Sequence, residues 1–292
     1  MVRAILAGAL VVFCASAALA DYVSDRRAAV ALAAAGKQEE ALAAFLKMAE
    51  GEVSPFQKSD ALEQAAQCAL RLKKVDEALK LAQRIPTAPI SKTCQMRILA
   101  AGRKWAEVVD LSKDDDFTAW PDEFKAEAFH LRGQSRGFLR DGKGAEADLA
   151  KAVETYPYSF NKGQAALALG DNYRDNLKDD AQAVAAYLKA YEYVRDPNSY
   201  ITCSALIAAA GLLQKQGRND EAAQTLQKID TAKMTGYWRA RMLDAQGQAL
   251  AAQGKTAEAL AKYNEALAVK DIPDYFRKEC EKRVQVLQEK GR

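Results

Sequence analysis

Seven prolines divide this 292-residue chain: Pro55, Pro86, Pro89, Pro121, Pro157, Pro197 and Pro273. Each falls between stretches of apolar periodicity, never inside one. Proline lacks a backbone donor and clashes with the preceding turn, so it stops one helix and is welcome in the first turn of the next. Gly36, Gly102, Gly142, Gly217 and Gly254 fall about midway between those junctions. Glycine suits the left-handed residue that ends a helix, so these positions predict turns inside helical hairpins. The small residues that open each second helix are Ala41, Ala78, Val108, Ala145, Ala183, Ala222 and Ala259, at intervals of 37, 30, 37, 38, 39 and 37 residues. A near-constant period in this range marks a helical-repeat array, whose units bury their apolar faces only by stacking on neighbours.

The stretch from Tyr156 to Ala190 shows the unit most fully. Ala165, Leu169 and Tyr173 recur at helical spacing, and Gly170 is small enough to let a second helix approach closely. Residues 176–180 are polar and suit a turn. Ala183, Ala186, Tyr187, Ala190 and Val194 then repeat the three-and-four rhythm. Leu169-Gly170-x-x-Tyr173 followed by Ala183-x-x-x-Tyr187-x-x-Ala190 resembles the tetratricopeptide repeat, whose period is about 34 residues. This copy carries one extra residue between Gly170 and Ala183. Gly247, Leu250, Gly254, Ala259, Tyr263 and Ala266 form a second good copy, and Gly36, Ala41 and Phe45 survive in the first. The third is degenerate, with Trp105 near the turn and Val108-Val109 in place of a small pair. In the fourth, Ala145 and Ala147 both fit the phase. The junction Tyr156-Pro157-Tyr158-Ser159 also resembles the Y-P-x-S junction of repeats in bacterial envelope-assembly proteins, such as the outer-membrane assembly lipoproteins and the Tol-Pal coordinator family.

Residues 1–20 read as an export signal rather than as part of the fold. Arg3 supplies the positive start, residues 4–17 an apolar run, and Ala18-Leu19-Ala20 a small-x-small cleavage site before Asp21. The run is too short for a stable membrane span. The mature chain is therefore expected to begin at Asp21, to carry no integral membrane segment and to reside in a bacterial periplasm. The formal charge of +3 becomes about +2 when Arg3 leaves, which gives no pull toward nucleic acid.

Few residues offer chemistry. His130 is the sole histidine, which excludes a histidine-rich metal site, and it has no nucleophile motif beside it. Cys68, Cys94, Cys203 and Cys280 lie on apolar stretches of predicted helices. They read as buried free thiols, with a Cys68–Cys94 bridge as the alternative that an oxidising compartment permits. Asp114, Asp115 and Asp116 lack the calcium-loop pattern and read as a solvated loop. No phosphate-binding loop or paired carboxylates stand out, so neither catalysis nor a cofactor is expected.

Arg132, Arg136 and Arg140 follow one another at four-residue spacing on the first helix of the fourth unit. Arg174, Lys215 and Arg241 occupy first helices of later units. Two readings stand: a solvated face, or, as the resemblance implies, cations lining the groove that meets an acidic or C-terminal carboxylate ligand.

The expectation is an all-α fold, a right-handed superhelical α-solenoid of about seven hairpins over residues 21–271, closed by a polar-backed capping helix over 272–292. The N-terminal hairpin lacks such a cap, leaving an end suited to self-association. The resemblance implies a non-enzymatic scaffold for a protein or peptide partner in the cell envelope. A small-molecule or glycan binder is the alternative, favoured if Tyr191, Tyr193, Tyr200, Tyr237 and Trp238 gather on the inner face. An enzyme accessory domain ranks below both.

Overall fold

The structure, a computed structural model, describes residues 21–290. The expected export signal lies outside the described residues. Among them every regular element is helical: α1 (residues 21–34), α2 (Gln38–Glu50), α3 (Pro55–Arg71), α4 (Val75–Gln83), α5 (Ala88–Ala101), α6 (Trp105–Ser112), α7 (Asp122–Phe138), α8 (Gly142–Thr155), α9 (Ser159–Asn172), α10 (Asp180–Tyr193), α11 (Tyr200–Lys215), α12 (Asn219–Leu226), α13 (Gly236–Ala252), α14 (Thr256–Leu267) and α15 (Asp274–Lys290). A short π-helical turn, Tyr173–Leu177, follows α9, and a 3-10 turn, Thr231–Lys233, follows α12. The odd-numbered helices α1 to α13 are the first helices of seven hairpins, the even-numbered ones the second, and α15 stands alone. Contacts divide the chain into two compact units, with the boundary between Leu131 and Arg132.

All seven hairpin turns share a left-handed residue, and six of them share one hydrogen-bond pattern. A residue with left-handed φ follows each first helix: Gly36, Lys73, Arg103, Arg140, Lys178, Gly217 and Gly254. In those six its successor donates its N–H to a carbonyl five residues back, as in Lys37 to Leu32, Lys104 to Leu99 and Lys255 to Leu250, satisfying acceptors the helix end leaves open. These left-handed positions recur at the same intervals as the anchor residues and stand five residues before each. That fixes the phase of the fourth repeat on Ala145, which is buried, while Ala147 is exposed. Glycine holds the left-handed place in three turns only. Gly102 has φ −78° and its neighbour Arg103 takes the strained position. Gly142 opens α8, where a Cβ would lie 2.9 Å from Leu177, so its glycine serves close approach instead.

The extra residue of the fifth repeat widens its turn by one: Asp179, after the left-handed Lys178, donates to the Tyr173 carbonyl six residues back at 2.9 Å. The Lys178 N–H bonds the Tyr173 carbonyl across five residues, and the one-residue excess becomes the π turn.

Volume complementarity sets the distance between the helices of each hairpin. The buried position seven residues before the left-handed one (eight in the fifth repeat) is Ala29, Ala66, Met96, Gly133, Gly170, Ala210 or Gly247; nine after it stands Phe45, Ala82, Ser112, Leu149, Tyr187, Leu226 or Tyr263. Where the first is glycine, the second fills the gap: a Cβ at Gly170 would lie 2.6 Å from the Tyr187 ring, at Gly247 2.6 Å from Tyr263, and at Gly133 2.8 Å from Leu149. Met96 faces the opposite arrangement, with Ser112 at the partner position.

One core cluster joins α1 to α5 through residues such as Phe45, Leu62, Leu81 and Ile98. Another joins α9 to α13 around Tyr187, Leu206, Leu226 and Met242. The helix α15 packs through Phe276 and Cys280 onto Ala240, Leu243, Ala266 and Ile272. The four described cysteines, Cys68, Cys94, Cys203 and Cys280, are buried free thiols, so the structure shows no Cys68–Cys94 bridge.

Candidate functional site

In each unit first helices lie side by side, α3 against α5 in one, α9 against α11 and α11 against α13 in the other. Each leaves a stripe at three- and four-residue spacing partly open, and these stripes are where a partner meets side chains.

In the N-terminal unit the stripe is locked by ion pairs that cross from repeat to repeat. Arg97 on α5 sends Nη1 to Glu63 on α3 at 2.9 Å and Nε to Glu127 on α7 at 2.8 Å. Arg26 on α1 forks onto Asp60 on α3 at 2.6 and 2.9 Å, and the Tyr22 hydroxyl donates to the same carboxylate. Burial pushes the Asp60 carboxyl up, but those hydrogen bonds hold it below its ordinary value. Burial also holds His130 down at about 4, so its imidazole is neutral at pH 7.

The arginine row of α7 does not form a stripe. Arg132 is 6% exposed, and its Nε and Nη2 both reach Asp148 on α8, which is 2% exposed, at 2.8 Å. Arg136 Nη1 reaches the same carboxylate at 2.8 Å. Both arginines therefore neutralise a buried acid within their own hairpin. Arg140 is past the end of α7 in the left-handed turn position, where it bonds the Asn176 side chain at 3.1 Å. Asp148 is the residue that sequence reasoning missed. Its signal was an acid between Ala145 and Leu149, on the inward side of a second helix.

The later cations lie elsewhere. Arg174 pairs with Asp175 at 2.7 Å and Asp171 at 3.0 Å, and Asp171 also accepts from the Tyr187 hydroxyl at 2.7 Å. Burial raises the Asp171 carboxyl despite these partners. Between α7 and the π turn, Gly133, Gly137 and Ala168 leave a pocket of about 240 Å³ rimmed by Arg140, Asp171 and Asp175. That is below the roughly 300–1,000 Å³ of small-molecule sites and suits one inserted side chain. Lys215 pairs with Asp180 at 3.1 Å. Arg241 lies over the Tyr237 ring, 5.8 Å from its centroid.

The open face of the C-terminal unit centres on α11. No charged residue occurs from Tyr200 to Gln214, and Ser204, Ile207, Ala208 and Gly211 remain partly or fully exposed on one side. A Cβ at Gly211 would meet nothing within 4 Å. Its φ is ordinary, so neither packing nor backbone geometry requires glycine there. At the C-terminal ends of α11, α13 and α15 the face widens into a cleft of about 710 Å³. Lys215, Lys282 and Arg283 line it with Gln248 and Val286, against one carboxylate, Glu279. Arg283 reaches back to the buried Asp244 at 3.2 Å.

Chemistry is scarce around these residues. Asp244 lies 3.5 Å from the Cys280 thiol, but burial pushes that thiol up to about 12, away from the nucleophilic thiolate. Among the described residues no three or more His, Cys, Asp or Glu gather as metal ligands, and no helix is long and apolar enough to cross a membrane.

The fold is that of tetratricopeptide-repeat proteins. A tetratricopeptide repeat protein of Parabacteroides merdae superposes with a TM-score of 0.51 at 15% identity, covering 91% of this chain and 98% of the other. The structure from the functional characterization of Pseudomonas aeruginosa pilF gives 0.53 at 15% identity, over 78% and 99%. The C-terminal part of a TPR repeat-containing protein of Cytophaga hutchinsonii gives 0.52 at 17%, over 86% and 97%. No protein-family model matches the sequence, and no curated protein matches it.

Proposed function

We propose that this chain is a non-enzymatic, exported scaffold of the bacterial cell envelope, and that it binds a protein partner on the open face of its C-terminal unit. The observation that carries this reading is the face of α11. A glycine in mid-helix costs roughly 0.5–1 kcal/mol relative to alanine. Gly211 returns nothing to the fold for that cost, since the space above it is empty. Clearance for an approaching partner backbone explains it.

The flanking cleft adds direction. Arg283 is turned to the buried Asp244, but Lys215, in a solvent-exposed pair with Asp180, and the exposed Lys282 remain open to a ligand, so an acidic segment or a C-terminal carboxylate is the complementary one. Arg132 and Arg136 are occupied by Asp148 and take no part. Export rests on residues 1–20, whose charged start, apolar run and small-residue site match a signal peptide. Tyr191, Tyr193 and Trp238 pack against the core around Tyr187, so the five-aromatic cluster that favoured a glycan is dispersed.

The test is in-cell crosslinking of the tagged protein followed by mass spectrometry, repeated with Lys215→Glu/Lys282→Glu. Both side chains are exposed and the variant loses only the surface pair of Lys215 with Asp180, worth about 0–1 kcal/mol, so melting temperatures are compared before recovery is scored. At least a tenfold fall in recovery of a specific partner is expected. Absence of any specific partner, or undiminished recovery by the variant, would overturn the reading.

A further inference from the structure

Phe160, Tyr200, Tyr237 and Tyr275 occupy one register on α9, α11, α13 and α15, each five residues before a fully buried side chain: Ala165, Ala205, Met242 and Cys280. With Tyr158, from the loop ahead of α9, they line one rim of the C-terminal unit, the end opposite its hairpin turns. Tyr158 is 59% exposed, Phe160 48%, Tyr200 40% and Tyr275 61%; Tyr237 is half-buried. The fold does not demand rings here, because the same register holds Glu123 at the start of α7 and Pro86 before α5. Phe160 and Tyr200 meet edge to face, with centroids 6.4 Å apart and planes at 77°. The hydroxyls of Tyr237 and Tyr275 are 2.8 Å apart, and Gln164 and Arg241 already bond the hydroxyls of Tyr200 and Tyr237. Paired in this way, the rings offer no slot for a peptide side chain or a sugar. They offer a strip of apolar ring edge with hydroxyls set along it.

Cations are interleaved with rings along the same rim. Lys162 on α9 and Lys189 on α10 both lie over the Tyr193 ring, 5.9 and 5.8 Å from its centroid, and Arg195 lies 6.0 Å from that of Tyr191. The rim as a whole, residues 154–162, 189–200, 227–241 and 265–278, carries ten Lys and Arg against seven Asp and Glu. The four hairpin turns at the far end, beside the basic cleft, span residues 137–147, 173–183, 212–223 and 250–260 and carry seven against eight. The aromatic rim therefore keeps a net positive charge that the turns lack, and its complement is an anionic surface.

We infer that this rim docks on a lipid bilayer surface that carries anionic phospholipid. An interface of that kind needs no slot. It takes tyrosines whose apolar body sinks to headgroup level while the hydroxyl stays wet. It also takes lysines and arginines whose stems lie along the rings and whose charged ends reach the phosphates. Nucleic acid is the poorer match, because bases stack on open ring faces and the Phe160–Tyr200 pair is closed edge to face. Among the described residues no helix is long and apolar enough to cross a membrane, so the attachment is peripheral. A bilayer at this rim leaves the α11 face and the far cleft clear. The inference thus goes beyond the protein-binding reading and does not depend on it.

The test uses the chain from Asp21 onward, so that the apolar run of residues 4–17 cannot itself insert. It is floated with vesicles of phosphatidylethanolamine and phosphatidylglycerol, and separately with vesicles of phosphatidylcholine alone. Binding to the first is expected, with affinity for the second at least tenfold lower. Phe160→Ser/Tyr275→Ser and Lys233→Glu/Lys278→Glu, all at exposed side chains, should each weaken it at least tenfold. Melting temperatures are compared first, and a second readout does not rely on loss of binding. Phe160→Trp should add emission that brominated acyl chains quench, whereas Lys255→Trp, in a far turn, should add none. No vesicle binding, equal binding to both vesicle types, binding unchanged by both double variants, or equal quenching from the two positions would each overturn the inference. If the rim fails while Lys215→Glu/Lys282→Glu still lowers partner recovery, the scaffold stands and only this surface falls.

Discussion

Adding one methyl group at Gly170 and one at Gly211 should move stability in opposite directions. In a helix interior, alanine gains roughly 0.5–1 kcal/mol over glycine. At Gly211 nothing opposes that gain, since the new Cβ meets no atom within 4 Å. At Gly170 it lands 2.6 Å from two ring carbons of Tyr187. That ring is fully buried, and its hydroxyl is held by Asp171 at 2.7 Å, so it cannot swing away without losing a bond to a carboxylate. Overpacking of this kind costs about 1–3 kcal/mol, and a lost charged hydrogen bond about 1.5–3 kcal/mol more. With the helix gain subtracted, Gly170→Ala should destabilise by about 1.5–5.5 kcal/mol. Each kcal/mol shifts Tm by about 2–4 °C in chains of this general size. Thermal and urea unfolding followed by circular dichroism reads both variants, with the urea slope checked for constancy. Tyr187→Leu introduced beside Gly170→Ala should recover part of the loss. Equal stability of the Gly170→Ala and Gly211→Ala proteins would refute both the packing account and the claim that the space over Gly211 is free.

Three further outcomes follow from the same geometry. Asp148→Ala leaves the buried Arg132 without its carboxylate and should cost about 3–5 kcal/mol by urea midpoint; a loss below about 1 kcal/mol would mean that the pair is not buried as described. Burial raises the Asp244 carboxyl, so the stability its protonated form contributes is present below the ordinary carboxylate range and lost as pH rises through the raised folded value; Asp244→Asn should therefore gain on the parent as pH rises, and an unchanged difference between the two stability-versus-pH curves would contradict this. A thiol-reactive dye should label none of the four described cysteines in the native protein and all four after denaturation without reductant; two labelled thiols would indicate a disulfide.

Much of the fold was legible because the repeat imposes local rules. Proline junctions and the intervals between small residues located every hairpin, and the extra residue after Gly170 reappears as a π turn. Lys73, Arg103, Arg140 and Lys178 were illegible as turn residues, because the shared hydrogen bonds hold a left-handed backbone even where the side chain disfavours it. The arginine row misled for a different reason. Four-residue spacing puts Arg132 and Arg136 on one face, but whether that face meets solvent or α8 depends on where Asp148 points, and spacing does not encode that. Phe160, Tyr200, Tyr237 and Tyr275 recur in the chain at intervals of 40, 37 and 38 residues, at helix starts rather than within the packing positions that define the repeat.

The central claim is that the open face of α9, α11 and α13 receives a protein. A photo-crosslinking amino acid placed at Ser204 on that face, and in a separate strain at the exposed Lys189 on α10, tests it in the cell. A defined covalent adduct with one protein from position 204, and none from position 189, is the predicted result. Adducts from neither position, or the same adducts from both, would contradict it.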